Sequence, residues 1–227
     1  MTTTLEDPDK YIRAQTIFCF WTGTNLMTEK RRRCFEGLKA KSGCTVICVT
    51  PDTLPSYILP DHPLHEAFQY LSETHKADYL RTYFMNFHGG GYSDVKSATA
   101  PWPQAFQDLL TNPEKWMNGY REVGEHGIAY PPVKYLWRQL IGNGAYIARP
   151  QTPLTQEWYT SMISFLDTKL EALKKHPSTS PYDCVERGCG YPIEWNEMLG
   201  RIFHRVSAKY FKHLLYSVPI VDLNDYR

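Results

Sequence analysis

The sequence predicts an α/β fold: one domain with a central mixed, mainly parallel sheet flanked by helices. Three observations carry this. Two runs rich in β-branched and aromatic residues, Thr16 to Trp21 (TIFCFW) and Cys44 to Thr50 (CTVICVT), have the length and composition of buried strands. The segment between them reads as a helix, and the whole connection is long enough for a right-handed parallel crossover. The later strand-like runs are less regular, so the second half of the sheet departs from the simple parallel pattern.

Taken in order, residues 1 to 15 are polar and read as an N-terminal arm, and residues 16 to 227 as the domain. After the first strand comes the loop Thr22-Gly23-Thr24-Asn25. Thr28 is an N-cap for a helix over Glu29 to Lys41, which Gly43 stops. The second strand closes at Pro51, and the Pro-rich residues 51 to 63 read as loop. A helix follows over Glu73 to His88, with Ala77, Leu80, Phe84 and Phe87 at helical spacing. Gly89-Gly90-Gly91 ends it, and Tyr92 to Val95 enters a short strand. Beyond the Pro101-Trp102-Pro103 break, a helix is expected near Gln104 to Leu110, with strands near Gly119 to Val123 and Ala145 to Arg149. A long helix is expected from Leu154 to Lys175. Residues 176 to 192 read as loop. A last helix runs from Ile193 to about Lys212, ending no later than Leu215.

Composition narrows the function. The chain has 227 residues, 42% hydrophobic and 22% charged, enough to bury most of its apolar surface without disulfide or metal staples. Its formal net charge of +1 provides no field for nucleic acid or acidic lipid. The short basic run Lys30 to Arg33 rings a helix axis and reads as a solvated face. No GxxxxGK[ST] loop and no GxGxxG after a strand is present. The six cysteines include no CxxC pair; Cys19, Cys44 and Cys48 read as small core residues, and Cys184 and Cys189, which flank a glycine-containing loop and could bridge it, as reduced thiols. The N-terminus has no apolar signal region, and no apolar run is long enough to span a membrane. A cytoplasmic protein is expected, standing alone or as one domain of a longer polypeptide.

The informative stretch is His75-Lys-Ala-Asp78-Tyr-Leu-Arg81, continuing to His88-Gly-Gly-Gly-Tyr92-Ser93-Asp94-Val-Lys96. Asp78 and Arg81 are three apart and so share a helix face. Read singly, they are a surface ion pair, the glycines a helix stop and Asp94 a turn residue. Together they make an ordered set: Asp-x-x-Arg on a helix, a glycine stop, an aromatic, then an acid at a strand end. Ligands of open α/β sheets bind outside the carboxyl ends of strands. An acid there can hold a ribose hydroxyl or a cation on a diphosphate, and a nearby Arg or Lys neutralises charge on a leaving diphosphate.

This segment resembles the donor-site signature of GT-A glycosyltransferases, especially the DXD sugar-binding group of family 32 and the clostridial glucosylating toxins. Asp78, Arg81, Gly89, Gly90, Tyr92 and Asp94 match in order, and the strand ending at Trp21 looks like that group's first strand. The chain is also similar to a glycosyltransferase domain of large algal viruses. Motif-level similarity covers roughly residues 16 to 96, with a weaker match through Asn143 to Pro150. The resemblance implies a GT-A, Rossmann-like fold, with a donor half at about 16–100 and an acceptor half at about 101–227. It implies a hexose or deoxyhexose transferred from a UDP-sugar, of the UDP-glucose or UDP-rhamnose type, to a hydroxyl of a glycan or glycoconjugate. Trp21 would stack on the base, with Thr22 and Gly23 approaching the nucleotide through backbone. Asp78 and Arg81 would hold the donor sugar and the phosphate side; Tyr92, Ser93 and Asp94 would line the donor, with Asp94 at the ribose and the metal. A viral origin would place the protein in the host cytoplasm.

One position departs from the pattern: Lys96 stands where the group has the second Asp of its motif, usually the direct metal ligand. Two readings follow. Lys96 takes the cation's place at the diphosphate, or Asp94 holds Mn2+ or Mg2+, alone among side chains or with a later ligand from His204, His213, Asp183, Glu194 and Glu197. A retained metal is the expectation. Asp183 and Glu194 are the carboxylate candidates facing an acceptor, with Tyr191 and Trp195 as stacking platforms; Trp102 is an either-way aromatic, and His75 and His88 read as structural. The alternative function is a catalytically inactive nucleotide-sugar or glycan-binding protein, which the Asp-to-Lys departure would suit.

Overall fold

The computed structural model describes Ile12 and residues 15–222. The N-terminal arm expected over residues 1–15 otherwise lies outside the described residues. Strands β1 (Thr16–Phe20) and β2 (Thr45–Val49) pair in parallel, with helix α1 (Glu29–Ser42) between them in the chain. Thr28 caps α1 by accepting from the Arg31 N–H at 3.3 Å, and Gly43 ends it in a left-handed conformation at φ +68°.

Helix α2 (Glu73–Phe87) begins at Ser72, whose hydroxyl accepts from the His75 N–H at 3.4 Å. Its interior, from Asp78 to Asn86, is buried throughout, so it is a core helix rather than a surface one. Gly89 and Gly90 then turn the chain with φ of +69° and +86°, a region that disfavours side chains. They lead into β3 (Gly90–Ser93), which pairs in parallel with β1, placing Phe18 opposite Tyr92. A Cβ on Gly91 would lie 3.0 Å from Ile17 and 3.2 Å from the Thr16 carbonyl, so the triplet also permits this close approach.

Helix α3 (Pro103–Thr111), β4 (Met117–Arg121), β5 (Ile141–Ala148), helix α4 (Pro153–Lys175), helix α5 (Ile202–Lys209) and β6 (Leu214–Leu215) complete the described chain. The six strands form one sheet in the order β2-β1-β3-β5-β4-β6. Strand β5 runs antiparallel to both β3 and β4, and β6 runs parallel to β4. The expected mixed, mainly parallel sheet is therefore present, and both halves named from the sequence contribute strands to it.

Alternation along the strands builds two cores. Phe18 and Phe20 of β1, with Tyr146 and Ala148 of β5, face a cluster containing Tyr79, Phe84, Trp158 and Phe203 from α2, α4 and α5. Ile17 with Ala145 and Ile147 faces Leu38 of α1 and Trp102 and Phe106 at α3. Helices thus cover both faces of the sheet. Trp102, readable either way in the sequence, is a fully buried core residue.

Several expectations change: the strands expected near 119–123 and 145–149 lie at Met117–Arg121 and Ile141–Ala148, and the loop expected over 176–192 holds a 3-10 turn at Val185–Arg187. Residues 51–63 hold a short 3-10 helix, Leu54–Tyr57, rather than pure loop. The strand expected at Tyr92 to Val95 lies at Gly90–Ser93, because Asp94 and Lys96 turn back on each other through a 2.6 Å backbone bond. The final helix begins later than Ile193. The Glu197 carboxylate caps the Glu194 N–H at 3.0 Å, and the Arg201 N–H reaches the Asn196 carbonyl at 3.0 Å, giving a wide π-type turn at Glu197–Arg201 before α5. Among the described residues no helix is long and apolar enough to cross a membrane.

Candidate functional site

The site forms where the carboxyl ends of β1 and β3 meet the middle of α2. Helical spacing puts Asp78 and Arg81 on one face of α2, and both are buried. The pairing of Phe18 with Tyr92 sets Asp94 level with the end of β1, one residue before Trp21. The turn after β3 is held on both sides. The Arg31 guanidinium of α1 donates to the Val95 carbonyl at 3.2 Å, and the Asp222 N–H donates to the Ser97 carbonyl at 2.9 Å.

Four charges converge there. Arg81 Nη2 lies 3.1 Å from Asp78 Oδ1 and 3.5 Å from Asp94 Oδ1, so one guanidinium nitrogen serves two carboxylates. Arg81 Nη1 donates to the Asn143 carbonyl at 3.0 Å, and the guanidinium carbon lies 4.4 Å from the centre of the Tyr92 ring. The Tyr92 hydroxyl donates to Asp94 Oδ1 at 2.6 Å. Lys96 Nζ lies 2.9 Å from Asp94 Oδ2. The Asp94 side chain is 26% exposed, against 5% for Asp78, 9% for Arg81 and 11% for Lys96, so Asp94 is the member that meets solvent.

The two carboxyls are driven apart in acidity. Burial pushes Asp78 up to about 6; Arg81 pulls it back and the Asp94 charge adds to the rise. Burial also acts on Asp94, but Arg81, Lys96 and the Tyr92 hydrogen bond outweigh it and hold its carboxyl below the ordinary range. Asp94 is therefore a permanent anion at neutral pH, whereas Asp78, also mainly ionised there, takes up a proton near pH 6. Burial raises the Tyr92 and Tyr146 hydroxyls well above the usual phenol range, so both stay neutral, and Tyr92 remains a donor to Asp94.

Trp21 and its loop sit at the same end of the sheet. The Trp21 indole N–H donates to the Asn25 carbonyl at 2.7 Å, and the Thr22 hydroxyl donates to the Glu73 carbonyl at 2.7 Å. Gly23 approaches Asn25 so closely that an added Cβ would fall 2.4 Å from its amide oxygen. The first turn of α2 thus anchors the Trp21–Asn25 loop. It also anchors the loop after α4, through the Thr74 N–H on the Pro181 carbonyl at 3.2 Å and His75 Nδ1 at 3.0 Å from the Tyr191 hydroxyl.

The structure brings together Asp78, Arg81, Tyr92, Asp94 and Lys96, with Trp21, Thr22 and Gly23 on the neighbouring strand end. Ser93 is buried, its hydroxyl donating to the Asp94 carbonyl at 2.8 Å. The carboxylates expected to face an acceptor are engaged elsewhere. Asp183 Oδ2 accepts from the Thr179 and Ser180 N–H groups at 2.7 and 2.8 Å and closes its own loop. Glu194 pairs with Arg201, and Glu197 with Lys169 at 3.0 Å. Tyr191 is buried and stacked on His75, so it is no exposed platform, while Trp195 is 41% exposed. His75 and His88 are packed within the fold as expected, His88 Nε2 lying 2.8 Å from the Tyr57 carbonyl.

Three site residues escape sequence reasoning. Asn143 acts through its backbone carbonyl, which no side-chain motif reveals. Tyr120 accepts from the Gly144 N–H at 3.2 Å beside Asp94, and Tyr146 lies behind Arg81; both fall inside runs that the sequence shows only as strands. The run of small residues at Gly142, Gly144 and Ala145 ahead of Tyr146 is the one available signal. A Cβ on Gly142 would overlap the Tyr120 ring at 2.1 Å, so glycine there makes room for it.

No protein-family model and no curated protein matches the chain. A solved structure titled PaToxG glycosyltransferase is similar to it, with a TM-score of 0.48 at 10% identity, covering 86% of this chain and 68% of that one.

The expected Mn2+ or Mg2+ on Asp94 does not fit the groups present. Asp94 Oδ1 accepts from Tyr92 and faces Arg81, and Oδ2 faces the Lys96 ammonium. A divalent ion on either oxygen would sit beside a cation already held there, Arg81 at Oδ1 or Lys96 at Oδ2. Of the later candidate ligands, His204 Nδ1 accepts from the Ala129 N–H at 3.0 Å, and His213 stacks on Trp116 at 3.6 Å between ring centres. Among the described residues no three His, Cys, Asp or Glu side chains converge.

Proposed function

We propose that the protein is a glycosyltransferase of the GT-A type that moves a hexose or deoxyhexose from a UDP-sugar to a hydroxyl of a glycan or glycoconjugate. The observation that carries this reading is the closure of Asp78, Arg81, Tyr92, Asp94 and Lys96 into one cluster at the carboxyl end of β3, next to Trp21 at the end of β1. A nucleotide lying across these strand ends would meet an aromatic for its base, an anion for its ribose and two cations for its diphosphate.

In the proposed reaction the donor C1–O bond to the β-phosphate breaks, the bond from C1 to the acceptor oxygen forms, and UDP leaves with the bonding electron pair. Arg81 and Lys96 would stabilise the charge that gathers on the diphosphate as the bond lengthens. Asp94, the solvent-facing anion, would accept from a ribose hydroxyl, and Asp78 would orient Arg81 and accept from the donor sugar. The acceptor's proton would pass to the leaving phosphate or to water.

Release of UDP from UDP-glucose and UDP-rhamnose tests the assignment. Asp94→Ala should abolish donor binding or turnover, and Arg81→Ala should lower turnover more than UDP affinity. Full activity in Asp94→Ala would remove the cluster from the chemistry. UDP binding without sugar release from any donor would make the protein a nucleotide-sugar-binding module instead.

A further inference from the structure

We propose that Lys96 takes over the electrostatic work of a divalent cation, so that this site binds a nucleoside diphosphate without metal. The inference rests on the donor-site reading above and specifies how that site handles phosphate. A carboxylate with a bound divalent ion carries one net positive charge, and so does a lysine ammonium. One lysine at position 96 therefore supplies the charge that an acid and its metal would supply together.

The geometry agrees with that exchange. Asp78 and Asp94 are balanced by Arg81 and Lys96 within a single network of contacts between 2.9 and 3.5 Å, so the cluster is neutral without an added ion. The short turn from Asp94 to Lys96 folds the lysine back so that its ammonium rests on Asp94, the group of the four that meets solvent. Lysine has a flexible stem and three donors that rotate freely. Its ammonium can pass from Asp94 Oδ2 to a phosphate oxygen arriving at the same edge, leaving that carboxylate oxygen to accept from a hydroxyl. Arg81, fixed by Asp78, Asp94, the Asn143 carbonyl and the Tyr92 ring, holds its place during this exchange.

Calorimetric titration of the whole chain with UDP, once with excess Mn2+ and once with EDTA, tests this. UDP affinity should agree between the two conditions to within about twofold, and Lys96→Asp should lose about tenfold or more in EDTA and regain it with Mn2+. Lys96→Arg, which keeps the charge, should bind in EDTA, and circular dichroism of each variant verifies its fold. A wild-type loss of about tenfold or more in EDTA overturns the inference while leaving the donor site intact. Absence of UDP binding under both conditions overturns the donor-site reading and the inference with it.

Discussion

Replacing Asp78 by Asn separates the stability of the site from its use. In the native protein burial lifts the Asp78 carboxyl from 3.8 to about 6, which corresponds to about 3 kcal/mol between the two protonation states. Because the folded state holds this proton more tightly than the unfolded chain, the associated stability is fully present below about pH 4 and is lost as pH rises through about 6. Asp78→Asn carries no such proton. The variant should gain on the wild type by up to about 3 kcal/mol between pH 4 and 7, the attraction of Arg81 for the ionised carboxyl being already contained in that shift, while the exchange of a neutral carboxyl for an amide adds an offset that does not vary with pH. Burial holds His75 and His204 at about 4, which gives both proteins an opposite slope that cancels in their difference. Urea unfolding of both proteins at several pH values measures that difference directly. A difference flat from pH 4 to 7 would refute the account of a carboxylate held ionised against its burial.

Three further outcomes follow from contacts in the same region. Tyr92→Phe keeps the ring against Arg81 but removes the 2.6 Å donor to Asp94, and should lower kcat/KM about tenfold or more in a UDP-release assay. Gly142→Ala forces a Cβ onto the Tyr120 ring and should destabilise by about 1–3 kcal/mol in thermal melts. In Gly144→Ala the nearest Tyr120 atom is 3.1 Å away, so that change should perturb stability less. His204 is buried and held neutral at about 4, so its stability contribution is present above about pH 6.5 and is lost as pH falls toward 4. His204→Gln should therefore flatten the acid side of the stability profile by about 3 kcal/mol, and an unchanged slope would contradict the assignment.

What was legible in the sequence was local. Thr28 and Gly43 bound α1, the spacing of Asp78 and Arg81 fixes them on one face, and the glycine triplet ends α2 and starts β3, all within a few residues of each other. What was not legible depends on partners far along the chain or on the backbone. Asn143 serves Arg81 through a carbonyl across 62 positions, and no side-chain pattern encodes that. Asp183 and Glu194 show the opposite case. Carboxylates near aromatics suggest an acceptor site, but Asp183 finds backbone N–H groups within four residues, and a short loop rich in Ser and Thr supplies them. The late start of α5 has a similar origin, since Glu197 caps Glu194 and shapes a turn where apolar spacing suggests a helix.

The irregular second half of the sheet is what completes the site. A parallel neighbour of β3 would place its own carboxyl end beside Asp94, and the residues there would belong to its following loop. Because β5 runs antiparallel, its opening residues lie at that edge instead, and the Gly144 carbonyl accepts from the Asp94 N–H at 2.8 Å. The same reversal presents the Asn143 carbonyl to Arg81 at 3.0 Å and lets Tyr120 of β4 reach across Gly142 and Gly144. Asp78 and Arg81 from a buried helix, and Asp94 and Lys96 from a strand end, are thereby held by a third element that contributes backbone, space and the Tyr146 ring behind Arg81. A side chain at position 142 would run into the Tyr120 ring, whereas one at 144 would meet the Tyr120 hydroxyl at 3.1 Å and Asp94 Oδ2 at 3.5 Å, so the demand for glycine is a demand of the site's geometry and is stronger at 142.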